Sequence, residues 1–456
     1  MDNTAALLEK DARYCSWGDT VHYADPPKIF IGCEDSYLFD EAGTPYLDLQ
    51  MWYSAVSFGY KNPRLNEVLK RQIDTLPQLA CQYLHKEKIE LAEALCAHME
   101  QNFGVKGRIH FNVGGAQAVE DSLKLVRNAT GKNLQFSFMG GYHGRTLGAS
   151  AITSSYRYRR RFGHFSDRAH FVPFPYCFRC PHDMKKSTCG MYCLKEFEKL
   201  FETEYNGVWD SKTKSCEYGA FYVETIQGTG GYVIPPDGYF LELTRVLKER
   251  NILLVVDEIQ MGVYRTGKLW SFENFGIVPD VFVFGKAITN GLNPISGIWA
   301  REDLISPEKF PPGSTHSTFS SNPLGTAVAL EVIRMTQEHD FEPTVRARGA
   351  YFLKRIEALK TRWKMIGDVS GMGLALRIEM CEADGYKPNR ALTERIFNEG
   401  LKGDLNAGGR KMGLVLDVGG YYKNVFTLAP ALTITEAEID LGIDLFEQLL
   451  RRCGAV

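Results

Sequence analysis

The sequence predicts an α/β protein, with a large domain built on a central, mostly parallel sheet and a small α+β domain beside it. Between about residues 60 and 320, short apolar runs alternate with helical stretches. Apolar runs bounded by helices are typical of buried parallel strands. The chain has 456 residues, which is too many for one small module, and its 43 glycines suit the many tight turns of an enzyme.

Composition excludes several functional classes. The 53 basic and 55 acidic side chains leave a net charge of −2, which argues against bulk binding to nucleic acid or to an anionic membrane. The sequence has no apolar run of about 18 residues, so no transmembrane helix is predicted. The polar N-terminal stretch lacks the apolar core of a signal peptide. We therefore expect a cytoplasmic protein whose 11 cysteines stay reduced.

The elements follow in order along the chain. Residues 29–50 are expected to form short strands with an Ala-Gly-Thr-Pro turn, and residues 86–102 a helix. The apolar runs that predict the strands of the large sheet are RIHFNV at 108–113, FVPF at 171–174, AFYVET at 220–225, ILLVVDE at 252–258 and VFVFGK at 281–286. A final helix is expected from Glu436. We predict that residues 1–60 contribute to the small domain, that 61–325 form the large domain and that 326–456 complete the small one.

Ligands of α/β sheets bind at the carboxyl ends of strands. Gly114–Gln117 follows one apolar run and precedes a helical pattern, an arrangement that can present backbone N–H groups to an anion. Tyr142 lies between glycines after the run QFSFM and could offer its face to a flat ligand. The alternatives are an ordinary glycine turn and a tyrosine packed in a loop.

Two charged residues follow the most apolar strands. Asp257 directly follows the apolar run ILLVV, where a carboxylate is costly unless it meets a cation, so it could pair with a protonated ring, a basic side chain or a metal. Lys286 follows VFVF; a partly buried lysine has a lowered pKa and can form imines, although it could also extend to solvent. An anion cradle, an aromatic face, a carboxylate and an amine, in this order, are the parts that hold pyridoxal phosphate (PLP).

The sequence resembles the class III, PLP-dependent aminotransferases of fold type I, which include the ornithine, 4-aminobutyrate and ω-amino acid aminotransferases. The resemblance extends from about residue 30 to 450. Its most specific segments are GGYHGRT at 140–146, VETIQG at 223–228, VVDEIQMGVYRTGKLW at 255–270, FGKAITNGLNPISG at 284–297 and HSTFSSNPLG at 316–325.

The resemblance implies how the cofactor ring is held. Lys286 is expected to bind PLP covalently as a Schiff base and to move the substrate's Cα proton. Asp257 is expected to pair with the pyridine N–H, and Gln260 to contact the ring hydroxyl. Tyr142 is expected to stack on the ring, with His143 in the same cofactor site.

The resemblance also implies how the phosphate is bound. Gly115 and Ala116 are expected to donate backbone N–H groups to it. Thr318 is expected to reach the same phosphate from the neighbouring subunit, so that the active unit is a homodimer. Glu224 matches the glutamate of the family's E-P-I-Q-G element, with Thr225 in place of proline, and is expected to support the cofactor site.

The chain departs from the family where many members bind an α-carboxylate. Thr427 occupies the position of an arginine, and Thr229 that of the glutamate that pairs with it. Ordinary recognition of 2-oxoglutarate is therefore in doubt. Arg145 is expected either to bind a substrate carboxylate or to be structural. The motifs also contain two acidic residues, Glu120 and Asp417; if Asp417 lines the pocket, the substrate could be a diamine, an aminosugar or another polycation.

Three further features leave alternatives open. Trp52 and Tyr53 either cap the substrate pocket or belong to the core. Four thiols within a short loop could bind zinc or an iron–sulfur cluster, or form a packed, reduced insert; they are Cys177, Cys180, Cys189 and Cys193. The run 156–161 mixes arginines with tyrosines; a solvated loop or an interface patch is favoured there over an RNA-binding surface.

These observations together predict a PLP-dependent aminotransferase that works by a ping-pong mechanism. It would move an amino group from a primary amine, such as a diamine, an aminosugar or an ω-amino acid, to an oxo acceptor. An epimerase or racemase on the same scaffold is the first alternative. A non-catalytic or cluster-carrying interaction protein is the second. No nucleic-acid or membrane partner is expected.

Overall fold

The computed structural model describes residues 4–18, 27–162, 165, 168–338 and 341–454. Its strands, in chain order, are β1 (Gly32–Glu34), β2 (Tyr37–Phe39), β3 (Pro45–Asp48), β4 (Gly107–Asn112), β5 (Leu134–Phe138), β6 (His170–Val172), β7 (Tyr218–Val223), β8 (Leu253–Asp257), β9 (Val281–Phe284), β10 (Ser296–Arg301), β11 (Ile366–Met372), β12 (Ala375–Met380), β13 (Leu405–Ala407), β14 (Arg410–Val415), β15 (Asp417–Gly419) and β16 (Val425–Leu428).

The helices surround these strands. In chain order they are α1 (Thr4–Tyr14), α2 (Pro63–Thr75), α3 (Lys86–Phe103), α4 (Gly115–Thr130), α5 (Leu147–Ile152), α6 (Tyr192–Lys199), α7 (Tyr239–Glu249), α8 (Pro323–Gln337), α9 (Phe341–Arg362), α10 (Arg390–Gly400) and α11 (Glu436–Arg452). None of the helices in the described ranges combines the length and apolar character needed to cross a membrane.

A seven-stranded sheet in the order β4-β10-β9-β8-β7-β5-β6 forms the centre of the molecule. Strands β9, β8, β7, β5 and β6 are parallel, and β10 is antiparallel to both of its neighbours. Both faces are covered by apolar side chains: Val255 packs in one core cluster, whereas Leu254 and Val256 pack in the other. Burial on both faces explains why the sequences of these strands are continuous apolar runs.

Strand β10 was not among the predicted strands. Its sequence, SGIWAR, has only three consecutive large or apolar residues between a Ser-Gly pair and a charged arginine. Trp299 at its centre is nevertheless fully buried and stacks on Phe282 of β9 at 5.4 Å between ring centroids. Its position between β4 and β9 is set by tertiary pairing rather than by a local pattern.

Two smaller sheets complete the fold. The five-stranded sheet, in the order β1-β2-β3-β14-β13, joins strands from the N-terminal segment to strands from the C-terminal part of the chain. The four-stranded sheet is antiparallel in the order β11-β12-β16-β15. The division of the chain at residues 60 and 325 stays a prediction, and residues 1–3, 19–26, 339–340 and 455–456 of the proposed small domain lie outside the described residues.

The segment Met51–Ser54 forms a left-handed turn. All four residues have positive φ angles, between 43° and 68°, although none is glycine. A left-handed conformation costs about 1–2 kcal/mol per non-glycine residue, so the turn needs external support. The buried carboxylate of Asp48 provides part of it, because it accepts hydrogen bonds from the backbone N–H groups of Gln50 and Met51 at 2.7 and 2.9 Å.

Arg265 supports the other end of the segment Met51–Ser54, which we call the left-handed turn. Its guanidinium is fully buried and donates to the hydroxyls of Ser54 and Ser57 at 2.8 and 2.9 Å. It also donates to the carbonyl oxygens of Leu374 and Pro430 at 3.1 and 2.6 Å. Arg265 therefore joins the N-terminal segment to the strands of the C-terminal part through neutral acceptors.

Glycine at position 349 is required by the contact between α9 and the turn after β11. A Cβ atom at Gly349 would lie 2.0 Å from the carbonyl oxygen of Gly373, a backbone atom that cannot rotate away. We expect Gly349→Ala to lower the free energy of unfolding by about 1–3 kcal/mol, the usual cost of overpacking. Urea unfolding measures this, with the exposed Lys354→Ala on the same helix as the control. Equal free energies of unfolding in the two variants would contradict the close contact between position 349 and the carbonyl oxygen of Gly373.

Glu258 makes stability depend on pH. It is 1% exposed and accepts three hydrogen bonds from Ser271 and Phe272, which begin a short 3-10 helix. Burial raises the pKa of Glu258 to about 7. The folded state therefore holds a proton that the unfolded state has released, so this group destabilises the protein as pH rises from about 4.5 to 7.

We expect the free energy of unfolding of Glu258→Gln to fall less steeply over this pH range than that of the wild type. The difference in slope is at most about 1.4 kcal/mol per pH unit, which corresponds to one proton. Urea unfolding of both proteins at several pH values across the range measures it. Parallel pH profiles would show that Glu258 is ionised throughout.

Candidate active site

A cavity of about 420 Å³ opens at the carboxyl ends of the central strands. The loops that follow β4, β5, β7, β8 and β9 all reach it, as the α/β architecture leads one to expect. Eleven of the residues predicted for the site line this cavity: Trp52, Tyr53, Gly115, Ala116, Tyr142, His143, Arg145, Glu224, Asp257, Gln260 and Lys286.

Asp257 and His143 form a buried pair at the base of the cavity. The Nδ1 atom of His143 lies 2.9 Å from Oδ2 of Asp257, and the other carboxylate oxygen accepts the backbone N–H of Ile259 at 3.0 Å. Burial alone would lower the pKa of His143, but the hydrogen bond to Asp257 raises it above its ordinary value. The histidine and the backbone of Ile259 thereby fix the orientation of the carboxylate.

Lys286 lines the same cavity, two residues after the end of β9. Its φ angle is 46°, a left-handed conformation that is rare for a residue other than glycine, and strain of this kind is found at functional sites. The side chain lines the cavity, and burial lowers its pKa, although three nearby carboxylates oppose the change. A lysine with a lowered pKa has an enlarged neutral fraction, which is the nucleophilic form.

The turn Gly114–Ala116 begins α4 at one end of the cavity. The first turn of a helix leaves backbone N–H groups without helical partners, and these groups attract anions. A Cβ atom at Gly115 would lie 2.9 Å from Cδ1 of Ile259, so a larger residue would fill this end of the cavity. The space is suited to a phosphate group.

Three other predicted residues surround the centre of the cavity. Glu224 accepts the backbone N–H groups of Tyr142 and Gly228, each at 2.8 Å, and so fixes the loop that carries the aromatic side chain. Burial raises the pKa of Glu224 to about 7, and the charge of Asp257 adds to this effect. Gln260 donates to the hydroxyl of Tyr232 at 3.0 Å.

Arg145 is exposed at the edge of the cavity. Its guanidinium lies over the ring of Tyr158, 4.8 Å from the centroid, and Tyr158 makes an edge contact with Tyr142 at 5.1 Å. Sequence reasoning missed Tyr158 as a site residue, because the run of arginines around it suggested a solvated loop. The interleaved tyrosines were the signal that could have identified it.

A second cavity of about 340 Å³ continues from the first and shares Tyr53, Tyr142, Arg145, Gln260 and Lys286 with it. Asp417 lines this second cavity, as does Lys423, which no strand-end pattern had indicated. Thr427 does not line either cavity; it is buried and donates its hydroxyl to Asp417 at 2.6 Å. Its predicted role in substrate binding stays a prediction.

The remaining predicted residues lie as follows. Trp52 and Tyr53 are 56% and 36% exposed, so the alternative that they are core residues is wrong. Glu120 does not line the cavity that contains Asp417. It accepts hydrogen bonds from the backbone N–H groups of Gly148 and Ala149 at the start of α5. Thr318 is exposed and does not line the cavity of its own chain, so its predicted contact across a dimer stays a prediction.

The predicted zinc or iron–sulfur site is not supported. Cys177, Cys180, Cys189 and Cys193 line one pocket of about 310 Å³, and all four are free thiols. Within the described part of the chain, however, no group of three or more His, Cys, Asp or Glu side chains is placed to hold a metal ion. Burial raises the pKa of the Cys193 thiol to about 11, which disfavours the thiolate that a metal would require.

The residues of the first cavity fit PLP. The helix N-terminus with its close-packed glycine suits the phosphate, and the carboxylate of Asp257, held by His143, suits a protonated pyridine nitrogen. The amine of Lys286 suits the aldehyde. The assignment of each residue to its part of the cofactor stays a prediction.

Comparisons with known proteins agree with this geometry. The leucine/methionine racemase of Thermococcus litoralis is 30% identical over 97% of this chain and 95% of its own. The ornithine aminotransferase of Brevibacillus brevis is 28% identical over 99% of both chains. The crystal structure of a thermostable (S)-enantioselective omega-transaminase from Thermomicrobium roseum is 25% identical, with a TM-score of 0.86 over 99% of both chains.

The family model for class-III aminotransferases matches residues 25–450, which is nearly the whole chain. This match and the solved transaminase structures confirm the predicted family, the fold type I architecture and the prediction of an aminotransferase enzyme. PLP is the cofactor expected for this class. The chain belongs to the class-III aminotransferase family.

Proposed function

We propose that the protein transfers an amino group from a primary amine to an oxo acid at the cavity that contains Lys286. The observation that carries this proposal is the placement of a lysine with a lowered pKa and a buried, histidine-bound carboxylate around one cavity. PLP, when bound, would take up the electron pair released at the substrate's Cα and so make that carbon acidic.

The side chains divide the remaining work. Asp257, oriented by His143, keeps a positive charge on a bound pyridine nitrogen. Lys286 supplies the amine that holds the cofactor covalently. Its Nζ atom would take the Cα proton of a bound donor and hold it for return, and the lowered pKa favours the neutral form that this role needs.

Arg145 is proposed to bind the carboxylate of the oxo acid. It lines both cavities, and its position against Tyr158 leaves a planar guanidinium at the edge of the site. Guanidinium groups bind carboxylates through two hydrogen bonds. No arginine occupies position 427, where a buried threonine stands, so Arg145 is the cation best placed for this task.

We further propose a cytoplasmic homodimer in which Thr318 from each subunit contacts the phosphate in the other. The exposed position of Thr318 supports this arrangement.

A racemase is the second candidate function. The relative from Thermococcus litoralis that is 30% identical is a leucine/methionine racemase. Racemisation needs no oxo acid, and it returns the proton to the opposite face of Cα. Incubation with single enantiomers, with and without an oxo acid, separates the two activities. Aminotransfer consumes the acceptor and forms a carbonyl product, whereas a racemase inverts the amino acid without an acceptor.

Lys286→Ala tests the proposed function directly. We expect the wild type with PLP to show an absorbance band at roughly 410–430 nm, which the variant lacks. Amino transfer should fall by roughly 100-fold or more, because the proton-transfer group is gone. Lys354→Ala on the exposed face of α9 is the control. An unchanged band together with unchanged turnover in the Lys286 variant would overturn the proposal.

Arg145→Ala tests recognition of the acceptor. We expect the KM for the oxo acid to rise by about tenfold or more, with a smaller effect on the KM of an uncharged amine donor. Arg157→Ala is a matched control, because Arg157 also lies near the Tyr158 ring, at 5.9 Å, but lines neither cavity. Equal KM values for the oxo acid in both variants would show that Arg145 is structural.

A further inference from the structure

The wall of the second cavity contains a carboxylate that amino transfer itself does not require. Asp417 belongs to β15, and the cavity that it lines also contains Lys286. A molecule whose reacting amine reaches Lys286 therefore extends along a surface that includes Asp417. This inference rests on the proposed function, because it concerns the donor of the same reaction.

The carboxylate of Asp417 is held in place by neutral donors only. Thr427, directly opposite on β16, donates its hydroxyl at 2.6 Å, and Gln50 donates its amide at 3.4 Å. Among the described residues, Asp417 has no Lys, Arg or His nitrogen within 4.0 Å. Thr427 and Gln50 orient the group, and Lys423 in the same cavity acts on its charge only from beyond 4.0 Å.

Asp417 is half-buried, and a carboxylate that is partly removed from water without a contacting cation is costly to keep charged; a bound cation would offset that cost. Burial raises the pKa of Asp417, which is the expected sign of this cost. Lys423 lines the same cavity but makes no ion pair with Asp417 within 4.0 Å, and its burial lowers the pKa of its amine. The missing charge is therefore best supplied by a ligand.

We propose that Asp417 binds a second, non-reacting ammonium group of the donor, so that the preferred donors are diamines. The reacting amine lies at Lys286, and the second ammonium donates hydrogen bonds to the carboxylate of Asp417. The acceptor carboxylate binds instead at Arg145. The donor half-reaction thus uses the negative side chain of Asp417, and the acceptor half-reaction uses the positive side chain of Arg145, in one continuous cavity.

The test compares donors that differ in one charge. The value of kcat/KM is measured for 1,5-diaminopentane and for hexylamine, in which a methyl group replaces the second ammonium, and likewise for 1,4-diaminobutane and pentylamine. We expect the wild type to prefer the diamine of each pair. Asp417→Asn should reduce this preference by about tenfold or more, mainly through the KM of the diamine, because a charge-assisted hydrogen bond is lost.

Three further variants keep the test decisive if Asp417→Asn folds poorly. Thr427→Val removes the orienting hydroxyl and should reduce the preference by a smaller factor. Lys423→Met removes a neighbouring cation that repels the second ammonium and should increase the preference. Glu357→Gln, on the exposed face of α9, matches the change in net charge and should leave the preference unchanged.

Each outcome has a distinct meaning. A wild type that transfers amino groups but shows no preference for either diamine overturns this inference and leaves the proposed function intact. The same holds if the preference survives Asp417→Asn, or falls in Lys423→Met. An absence of amino transfer from every amine tested overturns the proposed function itself.

Discussion

The hydrogen bond between Asp257 and His143 is the interaction on which the rest of the site depends. Strand β8 is buried on both faces, so its last residue emerges at the base of the cavity with almost no contact with water. His143 holds this carboxylate through a hydrogen bond at 2.9 Å, and the same contact raises the pKa of the histidine. The surrounding loops then place Lys286 and Tyr142 around a fixed negative charge.

Much of the fold and of this first cavity could be predicted from the sequence, because buried parallel strands carry long apolar runs and their ends carry the reactive residues. Strand β10 could not be predicted in this way, since its pairing partners and not its own sequence determine it. Tyr158 and Lys423 were also missed, because they reach the cavities from loops whose path no periodic pattern encodes.

The position of the family's carboxylate-binding arginine is another place where the sequence alone could not predict the contacts. The sequence revealed that Thr427 replaces the arginine, and suggested that Asp417 could matter if it lined a pocket. The pairing of β15 with β16 joins the two through a hydrogen bond at 2.6 Å. The threonine therefore acts as the support of a carboxylate, at the position where the resemblance led us to look for an arginine.

The left-handed turn has a consequence for how such a site changes in evolution. Asp48 and Arg265 hold its backbone from both ends, while the side chains of Trp52 and Tyr53 line the cavity and are 56% and 36% exposed. Substitution of these two side chains can therefore change the shape of the cavity rim with little loss of folding stability. Insertions or deletions in the same segment would instead break the support, so we expect diversification here by substitution at constant length.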